Sequence, residues 1–148
     1  MAAQRTSRER QKQAERAAEH YLRKRCGCVA TVRAMTTRFA RQDLFASDVL
    51  GKDSAGRLIA AQVTCGDRTA VRPRRRKMEA VPWSKSDMVL LLEFREEKIG
   101  PRKWFWFRVH EYDRRQDDGG PIWNILRERE NVPQEWFRAY REIERATA

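Results

Sequence analysis

Cysteine is scarce in this chain, and the features that mark a secreted or a membrane protein are missing. Only Cys26, Cys28 and Cys65 occur among 148 residues, and an odd count argues against a framework of disulfides. No apolar run reaches the length of a membrane span, and the N-terminal MAAQRTSRERQKQ lacks the apolar core of a signal peptide. We therefore expect an intracellular, cytoplasmic protein that does not bind a membrane.

Several common site motifs are also absent. The chain has no G-x-x-x-x-G-K-[ST], no H-E-x-x-H and no G-x-S-x-G, which argues against the P-loop, zinc-protease and serine-hydrolase classes. Cys26-Gly27-Cys28 has no second CxxC or HxxxH pair to complete a tetrahedral zinc site. Since no RRM, KH or zinc-knuckle pattern occurs, an RNA-binding module ranks third among the functions considered.

Acidic residues are outnumbered by basic ones. The chain has 32 Lys and Arg against 21 Asp and Glu, a formal net charge of +11. Such an excess favours a polyanionic partner, and nucleic acid is the foremost candidate because its phosphates bind Arg and Lys with release of counterions. The densest basic run contains Arg72, Arg74, Arg75, Arg76 and Lys77. These cations repel one another without an anion alongside, so we predict that they bind DNA phosphates, together with Arg33, Arg38 and Arg41.

The length and the hydrophobic periodicity predict one domain over residues 1–148. Apolar residues at Ala14, Ala17, Ala18, Tyr21 and Leu22 follow helical spacing, and Gly27 ends that helix. Residues 1–12 have no apolar period and are predicted to form a flexible basic arm. Another helical stripe predicts a C-terminal helix over 133–148.

Four further segments have the composition of strands. Residues 29–35 are β-branched, residues 43–66 have the pattern of a hairpin, and residues 88–94 form an apolar run typical of a central strand. Residues 95–103 are expected to be a polar loop before the strand at 104–109. In that last strand Trp104 and Trp106 share one face and Phe105 and Phe107 the other. We favour core or a subunit interface for this aromatic stripe over a platform for unpaired bases.

The hairpin carries the strongest chemical signal. Asp48 lies among apolar residues in the first strand, where an ionised side chain needs a partner, and Gln62 interrupts the second strand. Paired strands bring such polar residues side by side, so the two side chains are expected to converge on one hard cation.

An Asp on one strand, then a turn, then an acid or Gln two residues before a Lys-type position resembles the PD-(D/E)XK nuclease superfamily, and most closely its Holliday junction resolvase-like branch. The Asp position falls on Asp48, with Asp43 as second choice, the Glu/Gln position on Gln62, and the Lys position on Thr64. The resemblance implies an α/β fold: a restriction-endonuclease-like αβββαβ core with a mixed central sheet flanked by helices, followed here by a C-terminal helix.

The resemblance also implies a metal site. Asp48, Gln62 and the carbonyl of Val63 would hold Mg²⁺, with Mn²⁺ as a substitute. An acid on the first helix would join them, and Glu19 is assigned that role, although a solvated helix carboxylate is an equal alternative for it. Thr64 departs from the pattern because a hydroxyl supplies no cation. Lys77 is the first substitute for the missing lysine, and Lys52 the second.

The implied function is a Mg²⁺-dependent endonuclease that hydrolyses phosphodiesters in branched DNA. Its expected substrate is the four-way junction, which a homodimer cuts symmetrically. The alternative is a DNA-binding protein on the same fold that has weak or no catalysis and serves recombination or packaging.

Overall fold

The computed structural model describes residues 7–36, 41–42, 44–66, 68–113 and 121–137. They form an α/β structure around a mixed six-stranded sheet. The elements are α1 (Ser7–Lys24), β1 (Cys28–Arg33), β2 (Met35–Thr36), β3 (Arg41–Gln42), β4 (Val49–Asp53), β5 (Leu58–Cys65), a 3-10 turn (Arg68–Ala70), α2 (Val71–Glu79), β6 (Met88–Ile99), β7 (Arg102–Asp113) and β8 (Ile122–Asn131).

The main sheet has the strand order β1-β4-β5-β6-β7-β8, while β2 and β3 pair separately. Only β5 and β6 are parallel, and the connection between them contains α2. All other neighbours in the sheet are antiparallel. The α/β class and the mixed sheet predicted from the sequence are therefore confirmed.

Helix α1 covers one face of the sheet. Its small side chains Ala14, Ala17 and Ala18 are fully buried, as their helical spacing predicts. At Gly51 of β4 an added Cβ would lie 2.6 Å from the sulfur of Cys28 on the neighbouring strand β1 and 3.2 Å from Cδ2 of Leu22 on α1, which leaves no room for a larger residue. The helix begins at Ser7 and thus extends into the segment predicted to be a flexible arm, of which residues 1–6 lie outside the described residues.

The core lies between α1 and this face of the sheet, which we call the α1 face. Alternate residues of β5, β6 and β7 point into it, including Val63, Leu92 and Phe107. Phe94 and Phe105 stack with ring centroids 5.6 Å apart, and Tyr21 of α1 meets Phe107 edge to face. This packing accounts for the apolar run at 88–94 and for one half of the aromatic stripe.

Helix α2 lies on the opposite face, which we call the α2 face. It covers a small apolar patch, where Met78, Val89 and Leu91 are fully buried. Pro73 lies in its first turn, where the missing amide donor costs nothing. Beyond this patch the α2 face becomes polar and then aromatic.

Strands β6 and β7 are longer than the sequence suggests. The segment 95–103, predicted to be a loop, continues both strands as a two-stranded ribbon, and only Gly100 and Pro101 form its turn. Gly100 has a φ of +61°, which glycine adopts without strain. The prediction was wrong because cross-strand pairing, rather than burial, holds these polar residues in the sheet.

Strand β8 was not predicted from the sequence. It lies at the edge of the main sheet, and two irregularities in its pairing with β7 interrupt any two-residue period. Most of its side chains are exposed, so no hydrophobic alternation marks it. The predicted C-terminal helix is described only over Glu135–Phe137, where Trp136 and Phe137 are buried against the core. In the described ranges, no helix has the length and apolar character needed to cross a membrane.

Candidate functional site

Asp48 lies at the point where the hairpin meets the rest of the sheet. Its backbone amide donates to the carbonyl of Ala61, and its own carbonyl accepts from the amide of Ala34. Its side chain is only 1% exposed, and Oδ2 accepts a hydrogen bond of 2.8 Å from the amide of Val63. The strand register places Asp48 opposite Gln62, as the sequence predicts, because Val49 pairs with Ala61.

Three oxygen-bearing groups around Asp48 face one cation, the guanidinium of Arg74. Its Nη1 lies 3.9 Å from Asp48 Oδ2 and donates to the carbonyl of Val63 at 3.2 Å. The partners of the Gln62 amide fix its orientation: its oxygen accepts from Arg74, and its nitrogen donates to the carbonyl of Ala46 at 2.7 Å. The groups predicted to hold a metal ion thus converge, and an arginine from α2 contacts all of them.

The first helix reaches this site through Gln11. Its Nε2 donates to the carbonyl of Val63 at 3.0 Å, and its Oε1 accepts from the thiol of Cys65. Glu15 follows one turn later on the same side of α1 and is buried. Burial raises the pKa of the Cys65 thiol, and the charge of Glu15 raises it further, while Arg74 lowers it. The acid of α1 on this side of the helix is therefore Glu15.

Glu19, the acid predicted to join the site, contacts two residues at the edge of the sheet instead. One carboxylate oxygen accepts from the hydroxyl of Thr31 at 2.9 Å, and the other lies 3.1 Å from Nε of Arg33. Both partners belong to β1. Glu19 and Glu15 are one helical turn apart, and the spacing of the two acids alone did not indicate which of them faces β5.

Thr64 is buried on the α2 face and lies directly beside Glu93 on β6. Oε1 of Glu93 is 2.5 Å from Arg95 Nη2, and Oε2 is 2.5 Å from His110 Nε2. Burial raises the pKa of the Glu93 carboxyl, but the hydrogen bond with His110 and the charge of Arg95 outweigh burial and lower this pKa to about 2. A charged cluster, formed by Glu93, Arg95 and Arg108 with the His110 imidazole as a hydrogen-bond partner of Glu93, therefore extends from the position of Thr64 across the sheet.

Helix α2 directs the basic side chains of residues 72–77 to different surroundings. Arg74 faces Asp48, and Arg75 contacts Nδ1 of His110 while its guanidinium lies 5.4 Å from the ring centroid of Trp123. Burial lowers the pKa of Arg75. Arg72, Arg76 and Lys77 are exposed. Two of the five predicted phosphate ligands thus bind protein groups, and three are open to solvent.

Neither of the two lysines predicted to replace the missing cation bonds to the three oxygens in the part of the chain that the structure describes. Lys77 is exposed on α2, three residues beyond Arg74. Lys52 lies in β4, four residues after Asp48, a distance of about 13 Å for an extended chain. Arg74, which was predicted only to bind DNA phosphates, lies 3.9 Å from Asp48 Oδ2.

The structure describes the remaining predicted residues only in part. Arg33 pairs with Glu19 at the end of β1, and its side chain is 28% exposed. Asp43 and Arg38 lie outside the described residues, and for Arg41 only the backbone in β3 is described.

Metal-ligand clusters of the usual kind are missing from the described ranges: no group of three His, Cys, Asp or Glu side chains converges there. The three cysteines are free thiols. The oxygens around Arg74 instead combine one carboxylate, one amide and one backbone carbonyl. Comparison with models of protein families, with curated proteins and with solved structures found no match to this chain.

Proposed function

We propose that this chain is a metal-dependent DNA endonuclease of the PD-(D/E)XK kind, most similar to the Holliday junction resolvases. The observation that carries the proposal is the convergence of Asp48, Gln62 and the Val63 carbonyl on one cation. The three groups stabilise a positive charge at the position where they converge, because each presents an oxygen lone pair. When only the strands of the main sheet are counted, the order α1, β1, β4, β5, α2, β6 agrees with the αβββαβ order that the resemblance implies, while β2 and β3 between β1 and β4 pair separately.

The donor chemistry of this site suits Mg²⁺ or Mn²⁺, which prefer oxygen ligands. Asp48, Gln62 and the Val63 carbonyl would hold the ion, with Glu15 nearby on α1 in place of the predicted Glu19. When bound, such an ion polarises the scissile phosphate and lowers the pKa of the attacking water. One carboxylate and one neutral amide supply little negative charge, so we expect the affinity for the ion to be weak.

Arg74 has two roles in the proposal. Without metal it neutralises Asp48, whose burial would otherwise be costly. Its side chain is 32% exposed, so it can rotate toward solvent when an ion takes its position. There it would bind the scissile phosphate and supply the positive charge that Thr64 lacks. Arg74 therefore replaces Lys77 as the first candidate for the missing cation.

Branched DNA is the proposed substrate. Three exposed cations lie on α2, the helix whose Arg74 contacts Asp48: Arg72, Arg76 and Lys77. Duplication of this surface in a homodimer would give two basic surfaces, which suits the converging arms of a four-way junction better than a straight duplex. Association with DNA should weaken steeply with salt because bound phosphates release counterions.

The test is incubation of the protein with labelled four-way junction, fork, single-stranded and duplex DNAs in Mg²⁺, in Mn²⁺ and in EDTA. We expect cleavage of the junction in either metal and none in EDTA. Asp48→Ala should lower the cleavage rate by about 100-fold or more while junction binding persists. Asp53→Ala is the matched control, because Asp53 is a carboxylate of the same hairpin that caps the turn and pairs with Arg57, at the end of β4 away from Asp48. Equal loss in both variants, or undiminished cleavage by Asp48→Ala, would remove Asp48 from the mechanism.

A DNA-binding protein without catalysis is the second candidate, and the position of Arg74 favours it. A guanidinium that already satisfies all three oxygens makes a metal ion unnecessary for folding. In that case no DNA is cut in any metal, and Asp48→Ala leaves junction binding unchanged.

A further inference from the structure

Trp104 and Trp106 lie on the α2 face of the sheet, beyond the part that α2 covers. Phe105 and Phe107 alternate with them along β7 and are buried in the core on the other face. Trp104 is 44% exposed, and the neighbouring Ile99 is 53% exposed. The core therefore accounts for the two phenylalanines of the aromatic stripe and leaves the two tryptophans without a structural explanation.

The two tryptophans line a small cavity, which we call the tryptophan pocket. Its volume is about 200 Å³, and its other walls are Ile99, Arg129 and Asn131. The Arg129 guanidinium lies 4.7 Å from the ring centroid of Trp106. Aromatic walls with a stacked guanidinium suit a flat ring, because both surfaces interact with a π-system.

A polar group in the pocket lining suits the edge of such a ring. Glu97 pairs with Trp104 across the strands but is not part of the lining, and its buried Oε2 lies 3.9 Å from Nη2 of Arg129. The amide of Asn131 offers both a donor and an acceptor.

Positive charge also lies beside the pocket. Arg129 lines it, and Arg102, which pairs with Ile99, projects from the same face as the two tryptophans. A larger cavity of about 670 Å³ shares Trp104 and Asn131 with the pocket, but its Lys98 and Lys103 pair with each other on the opposite face. A ligand that offers flat rings to the tryptophans and anions to Arg102 and Arg129 suits this surface, and a single strand of nucleic acid has this chemistry. A duplex does not, because its bases are stacked on one another and their faces are closed.

The tryptophan pocket lies on the same face as the candidate active site. Arg95, opposite Trp106, contacts Glu93, which lies beside Thr64. The path along β6 from Glu93 to Glu97 is about 13 Å long. A strand that is anchored in the pocket would therefore pass over Arg95 toward Asp48.

We propose that the tryptophan pocket binds an unpaired base of a single-stranded segment of nucleic acid. The inference rests on the proposed function in one respect: the strand would be led to the Asp48 site. The substrate class then narrows to branched DNA with unpaired nucleotides next to the branch point.

The test compares binding of a labelled mixed-sequence single strand and of the corresponding duplex by fluorescence anisotropy in EDTA. In the double variant Trp104→Ala/Trp106→Ala, we expect single-strand affinity to fall by about tenfold or more and duplex affinity to change less than about twofold. Trp104→Phe/Trp106→Phe should recover most of the single-strand affinity, because a ring is retained. Val29→Ala/Val32→Ala is the matched control, since it removes two exposed apolar side chains from β1 at the far edge of the sheet.

Several outcomes would overturn the proposal. One is wild-type affinity for the single strand in the Ala double variant, and another is an equal loss for single strand and duplex. A third is conversion of a dimer to a monomer by the Ala substitutions in sedimentation equilibrium, which would make the pocket a contact between two copies. A thermal unfolding curve for each variant separates lost binding from lost folding. Because EDTA prevents metal-dependent cleavage, the result is independent of whether Asp48 is catalytic.

Discussion

The two faces of the sheet differ in almost every physical respect. The α1 face is closed and apolar, with Leu90, Leu92 and Phe107 fully buried against α1 and the aromatic cluster. The α2 face has one small apolar patch and otherwise carries charged and aromatic side chains. Buried among them are Asp48 and Glu93, both held by arginines.

We interpret this difference as a division of roles, in which the α1 face stabilises the fold and the α2 face carries the groups that can bind a ligand. A closed apolar face lowers the free energy of the fold through burial, and apolar side chains offer no hydrogen bond or charge to a polar ligand. Buried carboxylates with cationic partners contribute little net stability compared with apolar residues of the same size, so their presence on the α2 face favours a functional role. If the division holds, substitutions on the two faces will have different signatures.

The largest loss of stability is expected from the α1 face. Phe107→Ala should lower the free energy of unfolding by about 4 kcal/mol, because the ring is fully buried between Tyr21 and Phe94. Urea unfolding followed by circular dichroism measures this change. A loss below about 1 kcal/mol would mean that the α1 face is not the principal core.

The charged cluster on the α2 face should give a smaller loss with a pH dependence. Glu93→Gln removes the counter-charge of Arg95 and one of the two carboxylates beside Arg108, which keeps Glu128, so we expect a loss of about 3 kcal/mol at neutral pH. The wild-type carboxyl has a pKa lowered from 4.5 to about 2. Its stabilisation is therefore fully present above pH 4.5 and disappears as pH falls through about 2.

The pH dependence is measured by urea unfolding of wild type and Glu93→Gln at several pH values between 2 and 7. The two free energies should approach each other as the pH decreases through this range. Phe107→Ala serves as the control, because its deficit does not depend on the ionisation of Glu93. A pH-independent gap between wild type and Glu93→Gln would exclude an ionised, paired Glu93.

Glu19 should have the smallest effect. Its bonds to Thr31 and Arg33 lie at the β1 edge and are partly exposed, so Glu19→Ala should cost less than about 1 kcal/mol. It should also leave DNA cleavage unchanged, whereas Glu15→Ala should reduce cleavage. Rates for the two variants on a labelled junction check this order, and a larger effect of Glu19→Ala would restore it to the site.

Local patterns in the sequence predicted much of the fold. The helical spacing of the α1 alanines, the apolar run at 88–94 and the hairpin at 43–66 each encode an element, and the hairpin register brings Asp48 opposite Gln62. Strand β8 escaped prediction because an edge strand buries little and its irregular pairing removes the period of two. The polar ribbon at 95–103 escaped prediction for a similar reason.

The site was harder to predict because its cation comes from α2, an element outside the hairpin. Arg74 belongs to a run of five basic residues, and nothing in the run itself distinguishes the one that turns toward Asp48. The position of α2 over the end of β5 determines which of these residues contacts the Asp48 site. Glu93, His110 and Arg75 likewise come from three elements and have no motif in the sequence.

The central claim is that the oxygens of Asp48, Gln62 and Val63 form a cation site that Arg74 occupies when no metal is bound. Titration of the protein with Mn²⁺, with free Mn²⁺ followed by electron paramagnetic resonance, tests it without reference to cleavage. We predict weak binding of one ion in wild type, binding about tenfold tighter in Arg74→Ala, and loss of binding in Asp48→Asn. Undiminished binding in Asp48→Asn, together with no gain in Arg74→Ala, would contradict the claim.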